Sequence, residues 1–356
     1  MPQKNVCAKV PKIQGEKAIT LLRGMNFIDR TLKIQRDEEF LYIPLLSTLD
    51  KDELKPLTER VPSLEVSTHI FPEKEKPPET LTEILENKIP PPLLESLPSA
   101  IDFVGDIAIV RIPSELEPYN RVIGEAILKL HKNVRTVLAK ASAVQGQHRL
   151  RDFDLLAGEA NTETIHREYG CRYYVDLAQA YFSPRLSYEH NRVSSLVQEG
   201  ETVVDLFAGV GPFAILIAKT HQDVQVYAID VNPQAVDYLK RNIVLNKVEE
   251  KVYPLLGDAE KIVNQELSGV ADRVIMNLPE KALQFLGSAC EAIRPEGGIV
   301  HLYSFVNTSH PIDQLKTKAD QEIKNHGRSV EHFSSSRIVR GTAPYEWQAV
   351  IDIKIR

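Results

Sequence analysis

The chain has 356 residues, more than one hydrophobic core usually spans, so two or three domains are expected. Hydrophobic content of 43% supports globular packing, while no run approaches the roughly eighteen apolar residues of a membrane span, and Met-Pro-Gln-Lys at the start is no secretory signal. The expected compartment is therefore the cytoplasm, with no membrane partner. A net charge of −6 speaks against a uniformly basic surface, and Cys7, Cys171 and Cys290 lack the spacing of a disulfide framework or structural zinc, so buried free thiols and no metal are expected.

Residues 1–72 read as a small N-terminal α/β module, with a helix near Gly15 to Met25 and β-like runs at Leu32-Lys33-Ile34 and Phe40 to Leu45. Residues 73–98 are proline-dense. Pro77-Pro78 and Pro90-Pro91-Pro92 bracket a short amphipathic piece, Leu81 to Ile89, and the stretch reads as a semi-rigid linker. Residues 99–183 read as an α+β domain. Ile101 to Ile112 alternates around Gly105-Asp106 as a strand pair, Ile123 to His131 is helical by period, and Val134 to Leu138 and Thr164 to Val175 are further strands. From Lys129 to Arg151 this domain carries six Lys and Arg residues with no Asp or Glu. Such a run is either a solvated face or a set of phosphate contacts.

At Ser183-Pro184 the chain turns into a helix beginning near Arg185, which opens the last domain, residues 184–356. Val203-Val204-Asp205 leads through a glycine-spaced turn into the apolar run Phe213 to Ala218, which is strand, tight loop and helix. Gly209 and Gly211 let the backbone approach a ligand at a helix N-terminus. The spacing fits Gly-x-Gly-x-x-Ala, with Ala214 third, and Val226 to Ile229 ends in Asp230, placed to grip two ribose hydroxyls. Both a nicotinamide cofactor and S-adenosylmethionine carry that ribose. A third strand ends in Leu255-Leu256-Gly257-Asp258, whose carboxylate can meet an adenine amino group. A fourth, Val274-Ile275-Met276, runs into Asn277-Leu278-Pro279, a sequence a methyltransferase uses to hold the atom being methylated and a dehydrogenase does not need. Each Asp alone would read as an N-cap or turn residue. Together Phe207, Asp230, Asp258 and Asn277 sit at four strand ends and would share one crevice if the strands are adjacent. Gly298 to Phe305, a helix near Ile312 to Asn325, Ser336 to Arg340 and Trp347 to Ile355 would supply an antiparallel edge.

Three motifs in order, Tyr181-Phe182-Ser183-Pro184-Arg185-Leu186 followed by Glu189, the Asp205 to Phe213 loop, and Asn277-Leu278-Pro279, resemble the archaeal and eukaryal tRNA guanine-37 methyltransferase family. The likeness covers roughly residues 100 to 356; the N-terminal module matches in size and position more than in residues. It implies a Rossmann-type class I S-adenosylmethionine-dependent methyltransferase domain preceded by an α+β domain and a small N-terminal module that touches tRNA. It further implies a monomer acting on folded tRNA, giving 1-methylguanosine at position 37. Carried over residue by residue, the general base falls on Glu189, the stabilising arginine on Arg149 with Arg151 as the competing match, and the base-holding asparagine on Asn277 beside Pro279. Cofactor contacts fall on Phe207, Asp230 and Asp258, and Tyr181 lies near the base pocket, with Arg185 next to it on the substrate side.

Guanine N1 carries a proton at neutral pH and is a poor nucleophile until that proton leaves, so a carboxylate within reach is required. Charge then develops on O6, where an arginine stabilises it. Enzymes that methylate exocyclic amines typically carry Asn-Pro-Pro-Tyr. Asn277-Leu278-Pro279-Glu280 lacks the paired proline and the ring, which favours a ring-nitrogen target. Three alternatives stay open at this point. One is methylation of a tricyclic wyosine precursor at the same position, another an NAD-dependent oxidoreductase, and the last a non-catalytic tRNA-binding protein on a methyltransferase fold.

Overall fold

The computed structural model describes residues 2–72, 80–142, 146, 148–307, 311–343 and 345–356, and the chain divides into two compact units, Met1–Pro78 and Glu79–Arg356. In the first unit, β1 (Gln3–Pro11), α1 (Gly15–Gly24), β2 (Gln35–Arg36), β3 (Phe40–Pro44), α2 (Lys51–Arg60) and β4 (Glu65–Phe71) follow in order. The sheet runs β2-β3-β1-β4 and every pairing is antiparallel. The module is therefore α+β rather than α/β. Leu32-Lys33-Ile34 is not a strand. The pairing falls one step later, on Gln35 and Arg36. Ala8, Val10, Ala18, Leu22, Ile43, Leu45 and Leu57 form its core, and α2 starts at a full capping box between Asp50 and Glu53.

The second unit begins with two short helices, α3 (Leu81–Leu85) and α4 (Pro91–Leu94), where a linker was expected. Leu85 and Ile89 are buried against α5 (Asn120–Leu130), so much of the proline-dense stretch is part of a core. Pro91 and Pro92 open α4, where a missing N–H costs nothing. The sheet beneath is β5 (Ile101–Val104), β6 (Ile107–Val110), β7 (Thr136–Lys140) and β8 (Phe153–Gly158), in that order, with only the β6–β7 pair parallel.

A hairpin of β9 (Glu163–Glu168) and β10 (Cys171–Asp176) follows, then a 3₁₀ turn at Pro184–Leu186 and α6 (Ser187–Leu196). The expected boundary at 184 leaves this hairpin with the preceding domain, yet its side chains Cys171, Tyr173 and Val175 pack into the core of the last sheet. That sheet is built from β11 (Thr202–Asp205), α7 (Pro212–Thr220), β12 (Gln225–Asp230), α8 (Pro233–Asn246), β13 (Val252–Leu256), α9 (Ala259–Ile262), β14 (Arg273–Met276), α10 (Leu286–Ala292), β15 (Gly298–Val306), α11 (Pro311–Asn325), β16 (Val330–Ala343) and β17 (Glu346–Ile355). Its order is β13-β12-β11-β14-β15-β17-β16, parallel through β15 and antiparallel beyond. The order reverses between β11 and β14, the switch point at which open α/β sheets bind ligands. Asn242 and Asn246 of α8 hydrogen-bond the β10 backbone at Tyr174 and Arg172, which pins the hairpin beside that switch point.

Candidate active site

The carboxyl ends of β11, β12, β13 and β14 open into one crevice whose lining includes Phe207, Gly209, Asp230, Asp258 and Asn277. The four strand-end residues meet because their strands are neighbours. At the tip of β11 the Gly209 N–H donates to Asp230 Oδ2 at 2.7 Å, and Asp230 Oδ1 accepts the Asn232 N–H at 2.9 Å. Burial pushes the Asp230 carboxyl up, and these two N–H groups oppose that push. Gly209 takes φ +56° beside the crevice. Gly211, expected to face the ligand, does not line it. It is the N-cap of α7 at φ +91°, and a Cβ there would lie 2.4 Å from Leu239 Cδ1, so this glycine serves the turn and the packing on α8.

Asp258 both caps α9, accepting the Lys261 N–H at 3.1 Å, and lines the crevice. The capping and ligand readings of that residue coexist. Phe285, which sequence reasoning missed, meets Phe207 edge-on at 5.0 Å between centroids. An apolar slot with carboxylates at two strand tips fits an adenosine group with its ribose diol and amino group. Asp205 ends β11 just before the lining residues Leu206 and Phe207 and does not itself line the crevice. It is fully buried, Oδ1 accepts the Phe207 N–H at 3.3 Å, and Oδ2 has no partner among the described residues. Burial raises its pKa to about 7, with the Asp230 charge adding to the push.

A groove adjoins the crevice and shares Arg149, Tyr181, Phe182, Ser183 and Glu280 with it. Arg149 lies over the Tyr181 ring at 4.9 Å, and its Nη1 is 3.2 Å from Glu280 Oε1. Arg151 lines the groove and not the crevice. Burial lowers its pKa. Arg185 also lines the groove, its Nε donating to Asp102 Oδ1 at 2.5 Å, while Lys140 Nζ donates to Oδ2 of the same carboxylate at 2.9 Å. The basic run is therefore not one bare face: Arg135 faces Glu159 at 3.5 Å, and Lys140 and Arg149 have the acidic partners just named. Asn277, Leu278 and Glu280 line the crevice, whereas Pro279 does not; its buried carbonyl accepts the Phe305 N–H at 3.2 Å.

Glu189 also lies outside the crevice. Leu186 and His190 on either side of it line the crevice, and Glu189 points behind them because the first turn of α6 aims it at Tyr303 of β15 and Arg337 of β16. Its Oε2 accepts the Tyr303 hydroxyl at 2.8 Å and Arg192 Nε at 3.0 Å, while Oε1 contacts the Arg337 guanidinium of β16. Arg192 also donates from Nη1 to Asp352 Oδ2 at 2.5 Å. His301 Nδ1 lies 2.6 Å from Asp352 Oδ1 and its Nε2 lies 2.8 Å from Arg273 Nη1. An arginine only donates, so His301 Nε2 accepts, Nδ1 carries the hydrogen, and the ring is neutral. Burial pushes the His301 pKa down, in keeping with that tautomer. Burial alone would raise the Asp352 carboxyl; His301 and Arg192 outweigh it and hold it at about 2. Arg273 ends the chain of contacts on Glu201, Nε to Oε2 at 2.8 Å. Of this network only the Glu189 to Arg192 spacing of one helical turn carried a signal in the sequence.

Among the described residues no helix is long and apolar enough to cross a membrane, and no group of three His, Cys, Asp or Glu is placed to hold a metal. Cys7, Cys171 and Cys290 are buried free thiols.

Three sequence profiles match the chain in order: a tRNA methyltransferase 5 N-terminal domain over residues 7–53, a TYW2 N-terminal domain over 81–162, and a TRM5/TYW2 methyltransferase domain over 164–330. The tRNA (guanine(37)-N(1))-methyltransferase Trm5b of Pyrococcus abyssi is 39% identical over 98% of this chain and 99% of its own. The tRNA 4-demethylwyosine(37)-methyltransferase Taw21 of Saccharolobus solfataricus is 38% identical over 71% of this chain and 93% of its own. A solved structure described as the complex of aTrm5 and tRNALeu has a TM-score of 0.72 and 34% identity, covering 99% of this chain and 100% of that one.

Proposed function

This chain belongs to the TRM5/TYW2 methyltransferase family, and from that premise we infer that it methylates N1 of guanosine at position 37 of tRNA, using S-adenosylmethionine and giving 1-methylguanosine. The observation that carries the reading is identity of 39% with a guanine-37 methyltransferase over nearly the full length of both chains. Family membership removes the nicotinamide alternative that Gly-x-Gly-x-x-Ala left open. S-adenosylmethionine supplies a methyl group on a positively charged sulfonium, so its leaving group is already activated. Asp230 would hold the ribose diol, Asp258 the adenine amino group, and Phe207 with Phe285 the faces of the adenosine.

The chain's own groups must then unmask the nucleophile. Glu189 takes the N1 proton in this reading, and Oε1 is the oxygen for it, because Oε2 is already engaged by Tyr303 and Arg192. Arg337 covers Oε1 and Leu186 and His190 stand between Glu189 and the crevice, so in this reading Arg337 withdraws and that side of the crevice opens as the target base arrives. Arg149 meets the charge that develops on O6, held over Tyr181 and beside Glu280. Asn277 orients the base, with Pro279 fixing the backbone beside it. Arg151 and Arg185 serve phosphates at the groove, which has five cationic side chains against three acidic ones. The N-terminal module, residues 1–72, is assigned to tRNA contact, and the protein is assigned as a cytoplasmic monomer.

The 38% identity to a 4-demethylwyosine methyltransferase favours a second substrate at the same position, the tricyclic precursor. One experiment separates these readings. Unmodified tRNA transcripts with guanine or adenine at position 37, and a tRNA bearing the precursor, are incubated with labelled S-adenosylmethionine and their nucleosides identified by mass. The expected product is 1-methylguanosine from the guanine transcript alone of the two unmodified ones. Label appearing only on the precursor tRNA would replace the first activity by the second.

A further inference from the structure

The orientation of the Asn277 amide is dictated from outside the crevice. Arg340 of β16 and Gln348 of β17 face each other across the sheet edge, and Arg340 Nε donates to Gln348 Oε1 at 2.9 Å. Gln348 is 1% exposed, and its Nε2 donates to Asn277 Oδ1 at 3.3 Å. Arg340 also donates from Nη1 to Ser183 Oγ at 2.9 Å and from Nη2 to the Tyr181 hydroxyl at 3.5 Å. Arginine has donors and no acceptor, which fixes the polarity of everything after it. The Gln348 atom facing Arg340 must be oxygen, so its nitrogen faces Asn277. The Asn277 atom facing Gln348 must in turn be oxygen, which leaves Asn277 Nδ2 and its two hydrogens for the crevice.

We propose that the Arg340–Gln348 pair is a specificity-determining relay that presents Asn277 as a hydrogen-bond donor, selecting a purine with an oxo acceptor at C6 over one with an amine there. This rests on the functional reading above and extends it to residues outside the crevice wall. An amine at C6 would set N–H against N–H, and a site built to donate to a substrate oxygen discriminates strongly against an analogue that cannot accept. Arg340 and Gln348 touch neither reacting atom; they are positioning residues.

Gln348→Glu keeps an acceptor for Arg340 and removes the donor to Asn277, so the Asn277 amide must turn its oxygen to the crevice. Gln348→Met removes the relay without imposing the turn. The assay uses the full-length protein and two tRNA transcripts, with guanine or 2,6-diaminopurine at position 37, which keep the 2-amino group and differ at C6 and in the N1 hydrogen; the N1 difference is common to wild type and variants, so the change in preference between proteins reads the C6 contact. It reads kcat/KM on the guanine transcript, the inhibition constant of the other, and the dissociation constant of S-adenosylmethionine. Wild-type protein is expected to bind the guanine transcript more tightly. In Gln348→Glu that preference should shrink by about tenfold or more, with a smaller change in Gln348→Met and cofactor binding within about twofold in both. A merely structural defect would weaken both transcripts alike and leave the ratio unchanged. If wild type methylates guanine and the ratio is the same in Gln348→Glu, the relay is wrong and the functional reading stands. If wild type transfers no methyl group to either guanine or the wyosine precursor, both fall. Should Gln348→Glu not fold, Arg340→Met is the second variant: it frees Gln348 to turn and must also narrow the preference, and an unchanged ratio there overturns the relay.

Discussion

The crevice at the strand tips and the buried wall that begins at Glu189 are made of different materials. The crevice is backbone and turn chemistry: Gly209 N–H on Asp230, Asn232 N–H on the same carboxylate, and a glycine at φ +91° closing the loop on α8. The wall is buried charge, running Glu189, Arg192, Asp352, His301 and Arg273, and joining α6 to β14, β15 and β17. A backbone-built pocket is set by local sequence and stands ready for ligand. A charge network is set by tertiary contacts, and each member's ionisation and position depend on the others. The cofactor half should thus tolerate changes to the acceptor half, while the acceptor half should couple activity to stability.

The sharpest way to break that contrast is Arg192→Met. It leaves Glu189 and Asp352 buried without their shared cation, and it should cost about 3–5 kcal/mol in urea unfolding. A loss under about 1 kcal/mol would show that the wall is not held by charge. Next is Asp205→Asn, which tests the buried carboxyl at the end of β11 through pH. The Asp205 pKa is raised from 3.8 to about 7 in the folded protein. The folded state therefore holds a proton that the unfolded chain has released, and the stability this contributes is present at low pH and lost as pH rises through about 7. Asparagine cannot ionise, so the variant should gain on wild type by a few kcal/mol at most between pH 4 and 8. Parallel stability curves would place Asp205 among ordinary carboxylates. The smallest effect is expected for Asp230→Ala, which should weaken S-adenosylmethionine binding by about 1.5–3 kcal/mol, measured by calorimetry, with the urea midpoint little changed. An unchanged dissociation constant would move the ribose contact elsewhere.

The same contrast explains what could be read from the sequence. The strand ends at Phe207, Asp230, Asp258 and Asn277 were legible because each is punctuated within a few residues, and their convergence needed only that the strands be adjacent. The proline-dense stretch misled because prolines mark both linkers and helix starts; Leu85 and Ile89 decide the matter by packing on α5. β1 and β4 escaped notice because β1 buries Cys7 and Ala8 in succession and β4 is mostly exposed, so neither shows strict alternation. The wall was illegible because Glu189 meets Tyr303, and Arg192 meets Asp352, across more than a hundred residues of chain. Arg340, Gln348 and Phe285 belong to the same class, since each acts through a contact that no local pattern announces.

The most direct measurement is single-turnover methyl transfer to the guanine transcript by Glu189→Gln, paired with the dissociation constant of S-adenosylmethionine for the same protein. The account predicts a rate lower by about 10²–10⁴-fold with cofactor affinity within about twofold, because the two halves of the site are built separately. A rate near wild type would contradict it and pass the proton to another group, with His190, which lines the crevice and holds Glu168 at 2.6 Å, next in place.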